Sequence, residues 1–70
     1  MPRKIRDLER DLQRAGFDRR SGKGSHRQWE HFLMPDRPVT MSGSPGADAR
    51  RYQETQVRKT LAELERRHNQ

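Results

Sequence analysis

The chain has 70 residues, enough for one small core, so we expect a single domain at 1–70 with no deep cavity for small-molecule chemistry. It carries 16 Lys and Arg against 10 Asp and Glu, and 13 of the cations are arginine, which indicates a polyanionic partner: RNA, DNA or an acidic protein. It contains no cysteine, which excludes disulfides and thiolate chemistry and restricts any zinc site to His and carboxylate ligands.

The first predicted element is a helix at about 3–15. Four apolar residues recur there at steps of three and four, the spacing of one helical face. They are Ile5, Leu8, Leu12 and Ala15. Gly16 followed by Phe17 is typical of a helix end at which glycine turns the chain and the next apolar residue folds back onto the helix.

Three short strands follow, at 17–20, 26–33 and 39–41. Turn residues separate them at 21–24 and 34–38. Because these connections are too short for parallel crossovers, we expect an antiparallel meander. A loop at 42–46 then leads to a final helix, with Asp48 as its N-cap. The apolar stripe of that helix is Val57, Leu61 and Leu64.

The predicted order is therefore α-β-β-β-α, an α+β fold with a three-stranded antiparallel sheet and two helices on one of its faces. This layout resembles a double-stranded-RNA-binding domain. The other face of the sheet is expected to stay open. The expected core is Leu8, Leu12, Phe17, Trp29, Leu33, Met41, Val57 and Leu61.

Alternation along the second strand divides its side chains between two faces. Trp29, His31 and Leu33 share one face, whereas His26, Gln28, Glu30 and Phe32 share the other. We expect Trp29 in the core rather than stacked on an RNA base, because so small a chain can hardly leave its one tryptophan outside. His31 lies on the same face, which favours a structural role. Since His26 and His31 diverge, they cannot easily share a metal ion, and we expect no metal.

A series of short motifs resembles the HicA-type toxins of bacterial toxin–antitoxin systems. The most specific is Gly24-Ser25-His26, after a first helix and a short strand. The others are Ala15-Gly16-Phe17, Trp29, His31, Pro38-Val39-Thr40, Ser42-Gly43 and Tyr52-Gln53-Glu54. The similarity covers roughly 5–64. It implies a double-stranded-RNA-binding-like fold that cleaves mRNA with no metal or other cofactor, His26 as the catalytic residue, Gly24 in the same motif, and a HicB-type antitoxin as partner.

The residues around His26 suit this chemistry. Attack of a ribose 2′-hydroxyl on the adjacent phosphate needs a proton acceptor and groups that stabilise charge on the phosphoryl oxygens. Histidine, with an ordinary pKa of about 6.5, fits the first need. For the second, Gly24 has no Cβ to keep phosphate from its amide, Ser25 can position the phosphate, and Lys23 and Arg27 can neutralise it. Alternation directs Arg27 away from His26, so Lys23 is preferred.

The last helix supplies a second set of cations. The expected role of these cations is to hold the backbone of single-stranded mRNA, and the alternative is a merely solvated face. They are Arg50, Arg51, Arg58 and Lys59. An acidic antitoxin would cover the same basic surface, and a dimer or higher-order toxin–antitoxin complex is possible. Without the resemblance, the residues also allow a non-catalytic RNA-binding module or a basic protein adaptor.

A membrane partner is not expected. The longest run of aliphatic and aromatic residues, 32–34, is too short for a signal peptide or a membrane span. No helical pattern combines a basic face with a large apolar one, as insertion into a membrane surface requires. We therefore expect a cytoplasmic protein.

Overall fold

The computed structural model describes residues 2–20, 24 and 26–69. The elements are α1 (Ile5–Arg14), β1 (Asp18–Arg20), β2 (Arg27–Glu30), β3 (Val39–Met41) and α2 (Arg51–His68). The strands form one antiparallel sheet in the order β1-β2-β3. The predicted α-β-β-β-α order and α+β class are confirmed.

The helix α1 ends as its sequence predicts. Gly16 has a φ of +99° and its amide donates to the carbonyl of Gln13 at 3.0 Å. The amide of Phe17 reaches back to the carbonyl of Leu12, also at 3.0 Å, and the Phe17 ring is buried. These two hydrogen bonds form a Schellman motif, which turns the chain from α1 directly into β1.

The second strand is shorter than predicted and ends at Glu30. A turn follows at once, in which the amide of Met34 donates to the carbonyl of His31 at 2.9 Å. The turn reverses the alternation expected for an extended chain, so Leu33 is 38% exposed and Met34 is fully buried. The prediction of Leu33 as a core residue was therefore wrong, and Met34 takes its place.

One hydrophobic core unites both helices with one face of the sheet. Of the predicted core residues, Leu8, Leu12, Phe17, Trp29, Met41 and Val57 are buried, and Leu61 packs partly buried against them. The core also contains Ile5, Met34, Val39, Ala49 and Leu64. The strand residues of this core come from alternate positions of β2 and β3, as a sheet with one covered face requires.

The helix α2 begins two residues later than predicted, with Arg50 as its N-cap. The side chain of Gln53 accepts the Arg50 amide at 2.8 Å, so the cap comes from inside the helix. The predicted N-cap, Asp48, instead pairs with Lys4 ahead of α1, through an isolated β-bridge and an ion pair. Neither α1 nor α2 is long and apolar enough to cross a membrane, and the described ranges contain no other helix that is.

The far end of α2 is attached to the turn before β3. The guanidinium of Arg67 donates to both carboxylate oxygens of Asp36, at 2.8 and 2.9 Å. It also donates to Glu63, one turn earlier in the helix, at 2.8 Å. The Arg67 hydrogen bonds lower the pKa of Asp36 from its usual 3.8 to about 2. The pKa of Glu63 is lowered too, first by Arg67 and then by Arg66.

Candidate functional site

His26 lies immediately before β2 and its side chain is exposed. The next residue, Arg27, turns its side chain inward, where Nε donates to Glu9 of α1 at 2.7 Å. Because successive residues of an extended chain point to opposite faces, His26 is directed away from the helices. None of the described residues hydrogen-bonds to its imidazole. The side chain predicted to act on RNA thus faces solvent.

The sheet surface on that side is not covered by the helices. Residues directly opposite each other in a ladder share a face, and the register pairs Asp18 with Glu30, Arg20 with Gln28, and Gln28 with Thr40. These five side chains are exposed or half-buried. We call this surface, Asp18, Arg20, Gln28, Glu30 and Thr40, the open face. His26 is two residues before Gln28 and so continues the open face beyond the start of β2.

Gly24 combines a left-handed backbone with open space. Its φ is +60°, and a Cβ built there meets no atom of the described chain within 4 Å. Packing against the described residues therefore does not require glycine at this position. The bare backbone is consistent with the predicted approach of a phosphate to the Gly24 amide. Two neighbouring residues of the predicted site, Lys23 and Ser25, lie outside the described residues. The other residues of the predicted turn, 21 and 22, lie outside them too.

Arg27 is an interior residue. Its Nε and the indole Nε1 of Trp29 both donate to Oε2 of Glu9, at 2.7 and 2.9 Å, and its Nη2 donates to the carbonyl of Gly43 at 2.9 Å. These contacts join α1, β2 and the segment after β3. Trp29 is buried, as the sequence predicted, and Arg27 does not lie on the surface that His26 faces.

His31 is buried and both of its ring nitrogens are engaged. Nδ1 accepts the amide of Leu33 at 3.0 Å, and Nε2 lies 3.1 Å from the carbonyl of Ala15. A ring with Nε2–H as donor and Nδ1 as acceptor satisfies both contacts. The ring also packs edge-on against Phe17 and stacks on Phe32. This environment agrees with the structural role that the sequence favoured.

The four cations expected to hold RNA do not form one patch. Arg51 and Arg58 border a groove between α1 and α2, together with Arg3. The same groove is lined by three acidic residues, Asp11, Glu54 and Glu65. Lys59 borders a different groove, which it shares with Asp36 and Arg37. The helix therefore presents its cations in two directions, and each direction includes carboxylates.

Arg50 is the cation of this set that lies at the His26 end of the sheet. Extending the Arg27–Met41 register by one residue on each strand brings Ser42 level with His26. The buried side chain of Gln53 donates to the carbonyl of Ser42 at 3.2 Å, which fixes the first turn of α2 against this end of the sheet. Arg50, the residue before that turn, is exposed.

Sequence reasoning missed one arginine, Arg20. It lies on the open face, on the strand next to His26, and its side chain is 62% exposed. Applying the alternation rule to β1 as well as β2 would have found it. The prediction stopped at the cations beside the Gly24-Ser25-His26 motif and on the last helix.

No metal centre is apparent in the part of the chain that the structure describes, since no three His, Asp or Glu side chains there converge on a point. The absence of a metal requirement stays a prediction about the reaction.

Taken together, these features define a small basic α+β domain whose sheet is covered by two helices on one face and open on the other. A family model described as the HicA toxin of bacterial toxin-antitoxin matches residues 5–62. No curated protein matches the chain. The chain belongs to the HicA toxin family and is the toxin of a toxin–antitoxin system, which implies a cognate antitoxin.

Proposed function

We propose that this HicA toxin is a metal-independent endoribonuclease that cleaves mRNA, with His26 as its catalytic residue. The observation that carries the proposal is the exposed imidazole of His26, which extends the open face beside the uncovered backbone of Gly24. A large, externally held substrate such as RNA can reach this position, and no deep pocket is needed.

The chemistry needs few groups. The 2′-hydroxyl of the substrate attacks the adjacent phosphorus, forming the O2′–P bond, and the P–O5′ bond breaks. His26 accepts the 2′-hydroxyl proton as a neutral imidazole, and the imidazolium returns a proton to the leaving O5′. Lys23, Ser25 and the Gly24 amide are proposed to hold the phosphoryl oxygens, where charge develops in the transition state.

The basic residues of α2 have a narrower role in this proposal than the sequence suggested. Arg50 is proposed to contact the RNA backbone near the reacting phosphate, because it precedes the helical turn fixed to Ser42. Arg51, Arg58 and Lys59 would contact more distant phosphates. Arg27 would not bind RNA, since its guanidinium is committed to Glu9 and Gly43; it would hold the start of β2 in place.

The direct test is incubation of the purified protein with synthetic single-stranded RNA in the presence of EDTA. The proposal predicts shorter RNA products with EDTA, and none from DNA of the same sequence, which has no 2′-hydroxyl. RNA binding without products would favour a non-catalytic RNA-binding module. Cleavage abolished by EDTA would contradict the metal-independent mechanism.

A cellular test addresses the partner. The family implies a cognate antitoxin, and we propose that it is an acidic HicB-type protein, because the toxin carries a net charge of +6. Expression of the toxin from a tightly controlled promoter should arrest growth, and coexpression of the neighbouring gene product should relieve the arrest. Growth unaffected by the toxin would contradict the proposal.

A further inference from the structure

We propose that Arg20 is a phosphate-binding residue of this toxin and that the backbone of single-stranded RNA lies across the open face, next to His26. The inference rests on the proposed function for the nature of the ligand, a phosphodiester of RNA. It assigns the main phosphate contact to the sheet instead of the last helix.

The register of β1 and β2 places Arg20 beside His26. Arg20 lies directly opposite Gln28, and His26 is two residues before Gln28. His26 directly precedes β2, so continuing this register past the Arg20–Gln28 pair makes Arg20 and His26 diagonal neighbours on one face of the sheet, a relation in which two residues are about 7–8 Å apart. An arginine side chain spans that separation, so one phosphodiester can contact both the guanidinium and the imidazole.

The guanidinium of Arg20 is available for such a contact. Its ion pair with Glu30 is long, with 3.7 Å between Nε and Oε1, and the two side chains are 62% and 39% exposed. A solvent-exposed pair of this length contributes little, because water screens it. A phosphate offers the fork of guanidinium N–H groups two parallel charge-assisted hydrogen bonds and would replace the carboxylate.

Glu30 then has a defined effect on RNA binding. It lies on the open face, four residues after His26 and directly opposite Asp18, so it is close to the path proposed for the RNA. Its carboxylate competes with phosphate for Arg20 and repels the RNA backbone. Removing the charge of Glu30 should therefore strengthen binding, and most of that gain should require Arg20.

The neighbouring Arg19 provides a matched control. It lies opposite Trp29, on the face that packs against α1, and it borders a groove there with Glu9 and Phe17. Arg19 and Arg20 are both exposed, and loss of either changes the net charge equally. They lie on opposite faces of the sheet, which is the difference that the comparison tests.

The experiment measures the binding of a fluorescent 2′-O-methyl RNA oligonucleotide, which the 2′-hydroxyl mechanism cannot cleave, at several salt concentrations. Arg20→Gln should raise Kd about tenfold or more, as expected for loss of a charge-assisted hydrogen bond. Arg20→Gln should also make the plot of log binding constant against log salt concentration less steep. The slope should decrease in magnitude by about 0.7, the value for one phosphate contact on a single strand. Arg20→Lys should recover part of the affinity. Arg19→Gln should change Kd less than about twofold, since only long-range charge is lost.

The Glu30→Gln variant gives an independent readout. It should lower Kd in the wild-type protein and have a smaller effect in the Arg20→Gln background. Equal effects of Arg19→Gln and Arg20→Gln, or a Glu30→Gln effect that ignores Arg20, would overturn the proposal. Circular dichroism of each variant checks that it is folded.

The outcomes separate this inference from the proposed function. Binding that depends on Arg20, with no product from cleavable RNA, would overturn the nuclease assignment and leave the RNA path standing. The opposite result is cleavage that depends on His26, with the same Kd and kcat/KM for Arg19→Gln and Arg20→Gln. That result would overturn the proposed RNA path and leave the nuclease assignment standing.

Discussion

Glu9 and Arg27 form an ion pair in the interior of the protein, with 2.7 Å between Oε2 and Nε and side chains that are 12% and 9% exposed. The same carboxylate oxygen accepts the indole N–H of Trp29 at 2.9 Å. One residue of α1 therefore holds both inward-facing residues of β2. Because His26 directly precedes Arg27, this pair also fixes the chain from which the proposed catalytic imidazole projects.

Replacing Glu9 should destabilise the whole domain. Glu9→Ala leaves the charge of Arg27 without its carboxylate partner in the interior, a change that costs about 3–5 kcal/mol. A domain of this size has only about 3–5 kcal/mol of stability in total. Chemical denaturation followed by circular dichroism should show most of Glu9→Ala unfolded in the absence of denaturant. Glu65→Ala, at an exposed position of α2, should change the free energy of unfolding by less than about 0.5 kcal/mol. Similar small losses in both variants would contradict this role for Glu9.

Gly16 should not tolerate a side chain. Its φ is +99°, and a Cβ there would lie 3.0 Å from Nε2 of His31, which is held by Ala15. Gly16→Ala should lower the free energy of unfolding by at least about 1–2 kcal/mol, from backbone strain alone. Gly46→Ala is the matched control, because its nearest contact, Arg6 Nη1 at 3.6 Å, is an ordinary van der Waals distance. Thermal unfolding of the two variants should differ clearly; equal melting temperatures would refute the close packing of Gly16 on His31.

Acid should weaken the attachment of α2 to the turn before β3. The Asp36 pKa is about 2 in the folded protein and 3.8 ordinarily, so the carboxylate contributes stability that is complete above 3.8 and is lost as the pH falls through 2. Replacing Asp36 with Asn should remove part of the decrease in unfolding free energy over this range. Denaturant melts at several pH values measure it. An Asp36→Asn curve parallel to wild type would count against the Arg67–Asp36 contact.

Gly24 should be needed for cleavage more than for folding. Asn tolerates a left-handed backbone, so Gly24→Asn should keep the φ of +60°, and its side chain enters space that the described chain leaves open. If phosphate must approach the Gly24 amide, the added side chain should reduce kcat/KM by about 100-fold, as misplacement of a substrate by an ångström can do. Gly46→Asn should cleave like wild type. A Gly24→Asn variant with a lower melting temperature but wild-type cleavage would show that Gly24 is needed for the fold and not for the reaction.

Much of the fold could be predicted from local patterns. The spacing of Ile5, Leu8 and Leu12 predicts α1, and Gly16 with Phe17 predicts its end, because a Schellman motif depends on neighbouring residues only. The end of β2 could not be predicted in this way. It depends on the ring of His31, which binds the Leu33 amide and supports a turn where alternation alone would continue a strand. Met34 is buried as a consequence.

The start of α2 depends on contacts between distant residues. Asp is a residue type that often caps helices, but the carboxylate of Asp48 accepts a hydrogen bond from Lys4, 44 residues earlier, instead of capping α2. Likewise Arg27 resembles a phosphate ligand in sequence, and only the position of Glu9, 18 residues earlier, shows where its guanidinium goes. Pairings at this range require the tertiary structure, so the local pattern could not assign either residue.

Some residues of the candidate site could likewise be predicted from the sequence, and others could not. His26 and Gly24 were found through the family motif, and strand alternation correctly predicted that His26 and Trp29 diverge. The four cations of the last helix were grouped by proximity in sequence. In the fold, Arg51 and Arg58 border one groove, Lys59 borders another, and Arg50 precedes the helix as its N-cap. Arg20 became apparent through its partner in the ladder, Gln28, since register determines which side chains share a face.

The measurement that tests the central claim most directly is the initial rate of RNA cleavage by His26→Ala, with EDTA present. The side chain is exposed, so the variant should keep the circular dichroism spectrum and melting temperature of the wild type. Loss of the proton-transfer group should reduce the rate by about 10²–10⁴-fold. His68→Ala, at the exposed end of α2, should cleave at the wild-type rate. A folded His26→Ala protein that cleaves RNA as fast as the wild type would contradict the account.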